Sequence, residues 1–167
     1  EYYQPVWGAS TTGGEYSNLV GLVPKGGSCM KEAIQQNLFL TMGHQLQAQG
    51  YSSAAFHNNS YTYYDRDISH PNMGYDYYGV GNGLEVANTW PQSDLEMMEA
   101  SVDDFLSVDQ PFHAYYMTFS GHYQYDWDNP MSLKNKAMAE NLPYSETVQA
   151  YIACNNSIKG TIGQTTA

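Results

Sequence analysis

The chain of 167 residues has few basic side chains and no long apolar run, and each scarcity excludes a class of protein. Six lysines and arginines stand against 17 carboxylates, which gives a formal charge of −11. Such a chain lacks the positive surface that attracts nucleic-acid phosphates. No apolar run reaches the roughly 18 to 20 residues needed to cross a bilayer, so we expect neither nucleic-acid binding nor a membrane span in this chain.

Cysteine is equally scarce. The chain contains only Cys29 and Cys154, which are too few for a disulfide scaffold and do not have the spacing of zinc ligands. Two separate buried thiols or one disulfide bridge are both compatible with this pair, and we expect the separate thiols.

Aliphatic side chains are also few, since Leu, Ile, Val and Phe together number 28, a level that often accompanies disorder in charged chains. Sixteen tyrosines, eight methionines and three tryptophans compensate for this shortage. An aromatic ring buries a large area and has few rotatable bonds to freeze. We therefore predict a folded domain whose core and cleft are built largely from amphipathic rings.

Two helices are predicted in the first third of the chain. Residues 12–15, Thr-Gly-Gly-Glu, have the spacing of a capping box, which predicts a helix that begins near Thr11. Between Lys31 and Gln49 an apolar residue recurs at every fourth position, which predicts an amphipathic helix that Gly50 ends. This stripe consists of Ile34, Leu38, Met42 and Leu46.

Strands and helices alternate in the rest of the chain. Strands are predicted at Tyr51–His57 and at Phe112–Ser120, the second covered on both faces because it is nearly all apolar or aromatic. Between them, residues 93–96 form a second capping box, and a last helix is predicted to begin near Pro143 or Ser145. The helix at the second box has one apolar face that consists of Leu95, Met98, Val102 and Phe105. This order predicts an α/β fold with a mostly parallel sheet and flanking helices.

Ligands of parallel sheets bind beyond the carboxyl ends of the strands, where this sequence has several reactive side chains. Thr11 stands at a predicted helix start, where exposed amides favour negative charge, and can be a nucleophile or only a cap. Arg66 is the only arginine, and its fork of donors suits phosphate oxygens. Asp65 and Asp67 offer the alternative that Arg66 forms only surface ion pairs.

Two histidines follow predicted strands. His57 ends the first strand and His122 comes directly after the second, where an imidazole can bind an oxyanion or move a proton near neutral pH. His44, His70 and His113 fit packing or surface roles better, because they lie on a helix, in a turn and within a strand.

Six ordered segments resemble the lipoteichoic-acid synthase and phosphoglycerol transferase family, which belongs to the sulfatase-like part of the alkaline-phosphatase superfamily. The segments are Ala9–Tyr16, Phe56–Asn59, Tyr63–Asp67, Pro71–Tyr75, Trp90–Asp94 and Thr118–His122. The resemblance implies a partial catalytic domain of this fold over residues 1–154, followed by a divergent tail over residues 155–167 that departs from a continuing amphipathic helix.

The resemblance also implies roles for five residues. Thr11 matches the catalytic threonine of the family, which binds a divalent metal and attacks phosphorus to form a covalent phosphoglycerol intermediate. His57, Arg66 and His122 match residues that line the phosphoglycerol pocket. Tyr64 takes the position of a pocket tryptophan found in some members, so it keeps an aromatic wall and adds a hydroxyl.

The implied cofactor is Mn²⁺ or Mg²⁺, and Thr11 is the only family ligand matched in this chain. An upstream acidic residue and a downstream Asp-His pair complete the site in the family, and neither is found here. We therefore expect the chain to be the nucleophile-bearing portion of a longer protein, or a truncated homologue. Whether it turns over substrate alone stays open.

The implied function is a metal-dependent phosphoglycerol transferase or phosphodiesterase-like hydrolase. It would act on a phosphatidylglycerol-like head group or a glycerol-phosphate polymer, at the extracytoplasmic face of a bacterial membrane or as a secreted protein. Its parent would be membrane-anchored, as many family members are. The alternative is a noncatalytic module that binds glycans or cell-wall polymer through a Tyr-rich loop at residues 61–78.

Overall fold

Helices and strands alternate along the part of the chain that the structure describes. This structure, a computed structural model, describes residues 10–24 and 36–164, with side chains over residues 11–24 and 36–156. The elements are α1 (Ser10–Val20), α2 (Met42–Gln47), β1 (Ser52–Ser60), a 3₁₀ helix (Tyr63–Asp65), α3 (Arg66–Asn72), β2 (Asp76–Val80), β3 (Gly83–Leu84), α4 (Asp94–Leu106), β4 (Phe112–Met117), α5 (Pro130–Lys134), α6 (Lys136–Ala139) and α7 (Glu146–Gln164).

The strands form one four-stranded sheet in the order β3-β2-β1-β4. The sheet is mostly parallel and helices flank it, which confirms the predicted α/β class. β2 pairs with β3 in parallel, with Gly79 opposite Gly83. β1 has a strand on each side and is buried continuously over residues 55–59, as expected of a strand covered on both faces.

β4 differs from its prediction in burial and in length. Most of its residues are only half-buried, so the expectation that both faces are covered is wrong. Among the described strands, β4 lies at the end of the sheet order. It ends at Met117 rather than at Ser120. The backbone N–H groups of Phe119 and Ser120 donate to the carboxylate of Asp94, so they are withdrawn from strand pairing.

The chain divides into two compact units. The first consists of the residues up to Phe56 together with Tyr61–Tyr78 and Phe105–Tyr115, and the second of His57–Ser60, Gly79–Asp104 and the residues from Tyr116 onward. The sheet strands β1, β2 and β4 each contribute residues to both units.

Aromatic rings fill much of the core of the first unit, as the composition predicted. Phe56 stacks on Tyr78 with ring centroids 5.1 Å apart, and His70 stacks on Tyr77 at the same distance. Burial raises the pKa of Tyr77 far above its ordinary value, because a phenolate is poorly solvated there. The region 61–78 contains a 3₁₀ helix, α3 and most of β2, so the prediction of a Tyr-rich loop there is wrong.

Of the predicted helix over residues 31–49, the structure confirms only residues 42–47. Residues 31–35, with Ile34, lie outside the described part, and residues 36–41 are not helical. α2 begins only at Met42, because the Thr41 hydroxyl accepts from the His44 N–H and donates to the Met73 carbonyl oxygen at 2.6 Å. Gly50 follows the helix with a φ of 85°, as a residue that ends a helix does.

A buried carboxylate organises the second unit. Asp94 is fully buried, and it accepts hydrogen bonds from the side chain of Asn58 at 3.0 Å and from the backbone of Phe119 and Ser120. Burial raises the pKa of Asp94, and these donors oppose that shift without cancelling it. The Ser120 hydroxyl accepts in turn from the Asp94 N–H at 2.8 Å, so the start of α4 is joined to the end of β4.

At the start of α4, Ser93 caps the helix as predicted, but the face that α4 buries is not the predicted apolar face. Ser93 accepts from the Glu96 N–H through its hydroxyl, as a cap does, while the Glu96 carboxylate binds the Ala87 N–H instead of the cap backbone. The buried residues of α4 are Asp94, Met97 and Ser101. The predicted apolar face, Leu95, Met98, Val102 and Phe105, is only half-buried. The polar contacts of Asp94 and Ser101 set the orientation of the helix.

The last helices pack together within the second unit. The Ser132 hydroxyl of α5 donates to the Ala150 carbonyl oxygen of α7 at 3.0 Å, and the Asn135 side chain donates to that of Ala153 at 3.1 Å. α7 begins at Glu146, close to the predicted start. It continues to Gln164, so the described part of residues 155–167 is helical, and the divergence of this segment from the family stays a prediction.

Cys154 is buried on α7, and its thiol donates to the Ser120 carbonyl oxygen. Burial raises the pKa of this thiol, so the neutral form is favoured. Cys29 lies outside the described residues, so the expectation of two separate thiols stays a prediction. None of the described helices combines the length and the apolar character needed to span a membrane.

We expect Asp94→Ala to lower the free energy of unfolding by about 3 kcal/mol, because it leaves three buried donors without their acceptor. Chemical denaturation followed by circular dichroism measures this change. Asp103→Ala on the exposed side of the same helix is the matched control and should change stability by about 0.5 kcal/mol or less. Equal losses in the two variants would contradict the structural role of Asp94.

A second prediction concerns His113, whose Nε2 lies 3.1 Å from the Tyr75 hydroxyl. Burial lowers the pKa of His113 below its ordinary value of 6.5, so the folded state favours the neutral ring. Its contribution to stability is therefore present above pH 6.5 and is lost as the pH falls through the lower folded pKa. Denaturation curves against pH should show a smaller acid-side decline for His113→Phe than for wild type, and parallel curves would refute this.

Candidate active site

Thr11 lies in the first turn of α1, in the first unit, and its side chain is exposed. The helix begins at Ser10, close to the predicted start. N–H groups in a first helical turn have no partners within the helix, so they favour an anion placed beside them. The exposed Thr11 therefore lies at the end of the helix where backbone N–H groups favour an anion.

One turn further along α1, the carboxylate of Glu15 is buried against Arg66. The Arg66 Nε donates to Glu15 Oε2 at 3.0 Å, and its Nη2 donates to Oε1 in a second, short hydrogen bond. Arg66 is 1% exposed and Glu15 is 4% exposed, so this ion pair is inside the protein. The capping box predicted at residues 12–15 is therefore wrong, because its carboxylate pairs with Arg66.

The pair fixes both the charge and the orientation of the guanidinium. Burial lowers the pKa of Arg66, but the hydrogen bond and the negative charge of Glu15 outweigh burial and raise it, so the group stays charged. Since Nε and Nη2 bind Glu15, the free fork of donors that the sequence predicted is largely occupied. Among the described residues, Nη1 donates to the Tyr63 carbonyl oxygen at 3.4 Å, which is a longer contact than those with Glu15. The alternative that Arg66 forms only surface pairs with Asp65 and Asp67 is wrong.

A strained turn holds two tyrosine rings near the same guanidinium. Tyr64 and Asp65 have φ values of 59° and 54°, in the left-handed region that costs a non-glycine residue about 1 kcal/mol or more. The centroids of the Tyr63 and Tyr64 rings lie 5.7 and 5.3 Å from the Arg66 Cζ atom. Tyr64 is about half exposed, so it forms an accessible aromatic wall beside Arg66, which is the type of wall that the resemblance implied.

His70 completes this group and was missed by the sequence analysis, which placed it in a turn. It lies in α3, four residues after Arg66, and its Nε2 is 3.7 Å from Glu15 Oε2. Its side chain is fully buried. The spacing itself was a usable signal, because residues four apart share one helix face, both for Thr11 with Glu15 and for Arg66 with His70.

The second unit contains the two histidines that the sequence selected. His57 is buried in β1, and its Nδ1 lies 2.8 Å from the Met117 carbonyl oxygen. Because a carbonyl can only accept, Nδ1 carries the proton. The ring also meets Phe119 edge-on at 5.8 Å between centroids, so its orientation is fixed by both contacts.

His122 is half-buried and oriented in a similar way. Its Nδ1 donates to the Tyr123 carbonyl oxygen at 2.7 Å, and its ring lies between Tyr123, Phe119 and Trp90. With Nδ1 protonated, Nε2 of the neutral ring is an acceptor that can take a proton from a hydroxyl group. The protonated ring can instead donate from Nε2 to a phosphate oxygen.

The five residues that the sequence selected are thus divided between the units. Thr11, Tyr64 and Arg66 belong to the first, and His57 and His122 belong to the second. Within the first unit, Tyr64 and Arg66 are in direct contact.

The described residues do not form a metal site on their own. No group of three or more His, Cys, Asp or Glu side chains among them is arranged to hold a metal ion. Thr11 offers a single oxygen, and the nearest carboxylate along α1, Glu15, is bound to Arg66. The implied Mn²⁺ or Mg²⁺ therefore does not fit this donor set without further ligands.

We expect Glu15→Gln to lower the free energy of unfolding by about 3 to 5 kcal/mol, because it leaves a buried guanidinium without a counter-charge. The double variant Glu15→Gln/Arg66→Met removes both charges and should lose less than the sum of the single variants in chemical denaturation. Asp67→Asn is the control, since Asp67 neighbours Arg66 without pairing with it. Additive losses would show that the two side chains are not coupled.

Comparison with known proteins agrees with this fold. A family model described as Sulfatase matches residues 2–163. The lipoteichoic acid synthase-like protein YvgJ of Bacillus subtilis (strain 168) is 26% identical over 131 residues, which are 76% of this chain and 21% of that protein. Lipoteichoic acid synthase 1 of the same organism is 26% identical over 110 residues, covering 63% of this chain and 16% of that protein.

The structure of the lipoteichoic acid synthase LtaP from Listeria monocytogenes superimposes with a TM-score of 0.76 at 18% identity. The match covers 97% of this chain and 40% of that one, and it shows the fold. The chain spans about a fifth of the length of YvgJ. A family model matches nearly all of the residues, so the chain belongs to the Sulfatase family.

Proposed function

We propose that the chain is the nucleophile-bearing portion of a metal-dependent phosphoglycerol transferase or phosphodiesterase-like hydrolase. The substrate is the head group of a phosphatidylglycerol-like lipid or a glycerol-phosphate polymer. The observation that carries this proposal is the exposed Thr11 hydroxyl in the first turn of α1, one helical turn before the carboxylate that holds the only arginine. The names of the similar proteins, which are lipoteichoic acid synthases, support the same class of substrate.

In this proposal the Thr11 oxygen attacks phosphorus. A bond forms between phosphorus and the Thr11 oxygen, which gives up its proton. The bond from phosphorus to the lipid alcohol breaks, and the alcohol takes up one proton as it leaves, so that no net proton is released. The product is a phosphoglycerol ester of Thr11. In the second half of the reaction an acceptor hydroxyl attacks the same phosphorus and releases Thr11, and water as acceptor gives hydrolysis.

Arg66 stabilises the charge that develops on the phosphate oxygens, chiefly through Nη1. One well-placed donor of this kind contributes about 3 kcal/mol to transition-state stabilisation. The Glu15 pair keeps the guanidinium in place, so little reorganisation is needed when substrate binds. Tyr64 provides the aromatic wall, and its hydroxyl adds a polar group that a tryptophan would lack.

His57 and His122 are proposed as further substrate-binding residues. In each ring Nδ1 donates to a backbone carbonyl oxygen, and in His122 the nitrogen proposed to contact substrate is Nε2. A hydroxyl of the glycerol group or a phosphate oxygen are both suitable partners for it.

A divalent Mn²⁺ or Mg²⁺ ion is part of the proposal, because a threonine hydroxyl is a weak nucleophile at neutral pH and a bound cation favours its deprotonated form. Thr11 is the one described residue assigned to this ion. Its remaining ligands are proposed to lie outside the described residues, in a protein that acts on the extracytoplasmic side of a bacterial membrane or is secreted.

The test uses the full-length protein that carries this chain, with Mn²⁺ and a fluorescent phosphatidylglycerol analogue. We expect Thr11→Ala to reduce turnover at least about 1,000-fold, because it removes the covalent pathway. Mass spectrometry of the quenched reaction should find a phosphoglycerol adduct on the wild-type peptide that contains Thr11. The matched control is Thr12→Ala, since Thr12 is the adjacent hydroxyl. Unchanged turnover in Thr11→Ala would reject the proposed nucleophile.

A further inference from the structure

Several large apolar side chains of the first unit are exposed to solvent in two short segments. One segment directly follows α1 and the other leads into α2, and together they contribute Leu22, Val23, Phe39, Leu40 and Met42. The exposed fractions of the adjacent Phe39 and Leu40 are 72% and 79%. Single exposed apolar residues are common, but a group of this size marks a surface that contacts another molecule. We call these five residues the apolar patch.

An open groove lies between the two segments of the patch. Its volume is about 290 Å³. Its apolar lining comes from the end of α1 and from the segment that begins α2, and consists of Leu19, Val20, Leu40, Met42 and Leu46. Gly21 also lines the groove, and its φ of 74° ends α1 and directs Leu22 and Val23 into solvent. The two segments are therefore parts of one apolar surface.

Hydrogen bonds hold the turn that carries the two most exposed residues of the patch. The Leu38 N–H donates to the Asn72 carbonyl oxygen at 3.0 Å, and the Thr41 N–H closes the turn on the Leu38 carbonyl oxygen at 3.3 Å. The side chain of Gln45 donates to the Leu40 carbonyl oxygen at 2.7 Å. Because the backbone is held in this way, the apolar side chains are directed outward before any partner binds, which lowers the entropic cost of binding.

The patch lies in the part of the chain with the fewest carboxylates. Within residues 16–64, the described residues 16–24 and 36–64 contain no Asp, Glu, Lys or Arg. The rest of that stretch adds only Lys25, Lys31 and Glu32 to the sequence. Two lysines and one glutamate give the stretch a formal charge of +1, whereas the whole chain has −11. An anionic lipid surface repels carboxylates and attracts lysines, so this stretch is the one suited to approach it.

We propose that the apolar patch docks on an anionic lipid bilayer. Its side chains enter the boundary between head groups and acyl chains, where removing apolar area from water is favourable. The inference rests on the proposed function for what the docking achieves, since the proposed substrate is a lipid of the same charge. The patch begins just beyond Val20, which lies about 14 Å from Thr11 along α1 at about 1.5 Å per residue. Docking therefore keeps the proposed nucleophile close to the lipid head groups.

The test measures flotation of the 167-residue chain with vesicles. One set contains phosphatidylcholine and phosphatidylglycerol in equal parts, and the other contains phosphatidylserine in place of phosphatidylglycerol. We expect wild type to bind both sets with half-maximal lipid concentrations within about threefold of each other, because the patch recognises the bilayer surface and not one head group. Phe39→Ser/Leu40→Ser should raise this concentration at least about tenfold, because it removes the two most exposed apolar side chains.

Leu106→Ser is the matched control and should bind as wild type does. Leu106 belongs to the same unit, is 63% exposed and lies outside the patch. Circular dichroism checks the folding of each variant. If the double variant does not fold, Leu40→Ser alone decides the matter, with an expected rise of at least about threefold in the half-maximal lipid concentration.

The proposal is overturned if wild type floats with neither set of vesicles, or if Leu106→Ser loses as much affinity as the patch variant. Binding to the phosphatidylglycerol vesicles alone also overturns it, because that result assigns binding to a head-group site. Analytical ultracentrifugation without vesicles gives a further check, since dimers that the patch variant loses would assign the patch to contacts between two copies of the chain. No turnover is measured, and Thr11→Ala should float as wild type does, so this result is independent of the test of the nucleophile.

Discussion

The ion pair between Glu15 and Arg66 is the interaction on which the candidate site depends. Two buried charges are tolerated only when they neutralise each other with good geometry, and here two hydrogen bonds join them. The pair joins the first turns of α1, with Thr11, to the strained turn that carries Tyr64. A hydroxyl, a guanidinium and an aromatic wall are thereby supplied by segments that are 51 residues apart in sequence.

The sequence predicted the fold class and about half of the described elements, because the apolar spacing of a helix or strand is a local pattern. The α/β alternation, β1 and the starts of α1, α4 and α7 follow from apolar spacing and caps. Two of the failures share a cause, which is a polar side chain whose partner is distant in the sequence. Glu15 has the spacing of a capping carboxylate but binds Arg66, and Thr41 starts α2 where apolar spacing alone predicted a continuous helix.

The sequence predicted the types of residue in the candidate site better than it predicted their contacts. The motifs selected Arg66, but no local pattern shows that Glu15 binds two of its nitrogens. Nor does a local pattern show that His70 Nε2 lies 3.7 Å from Glu15 Oε2. The left-handed backbone at Tyr64 and Asp65 could not be predicted from the sequence either, because neither residue is a glycine. Such features depend on tertiary packing, which outweighs local preference at these positions.

The neutralised Arg66 would weaken the binding of a polyanionic product to this acidic protein. The carboxylate of Glu15 neutralises the positive charge of Arg66, and the rest of the chain carries a strong excess of negative charge. Under the proposed function, a growing glycerol-phosphate polymer would be held by short-range donor contacts at its reacting end, while the negative surface would repel the remainder. This repulsion would favour release of the finished polymer and suppress its rebinding, with no conformational change required.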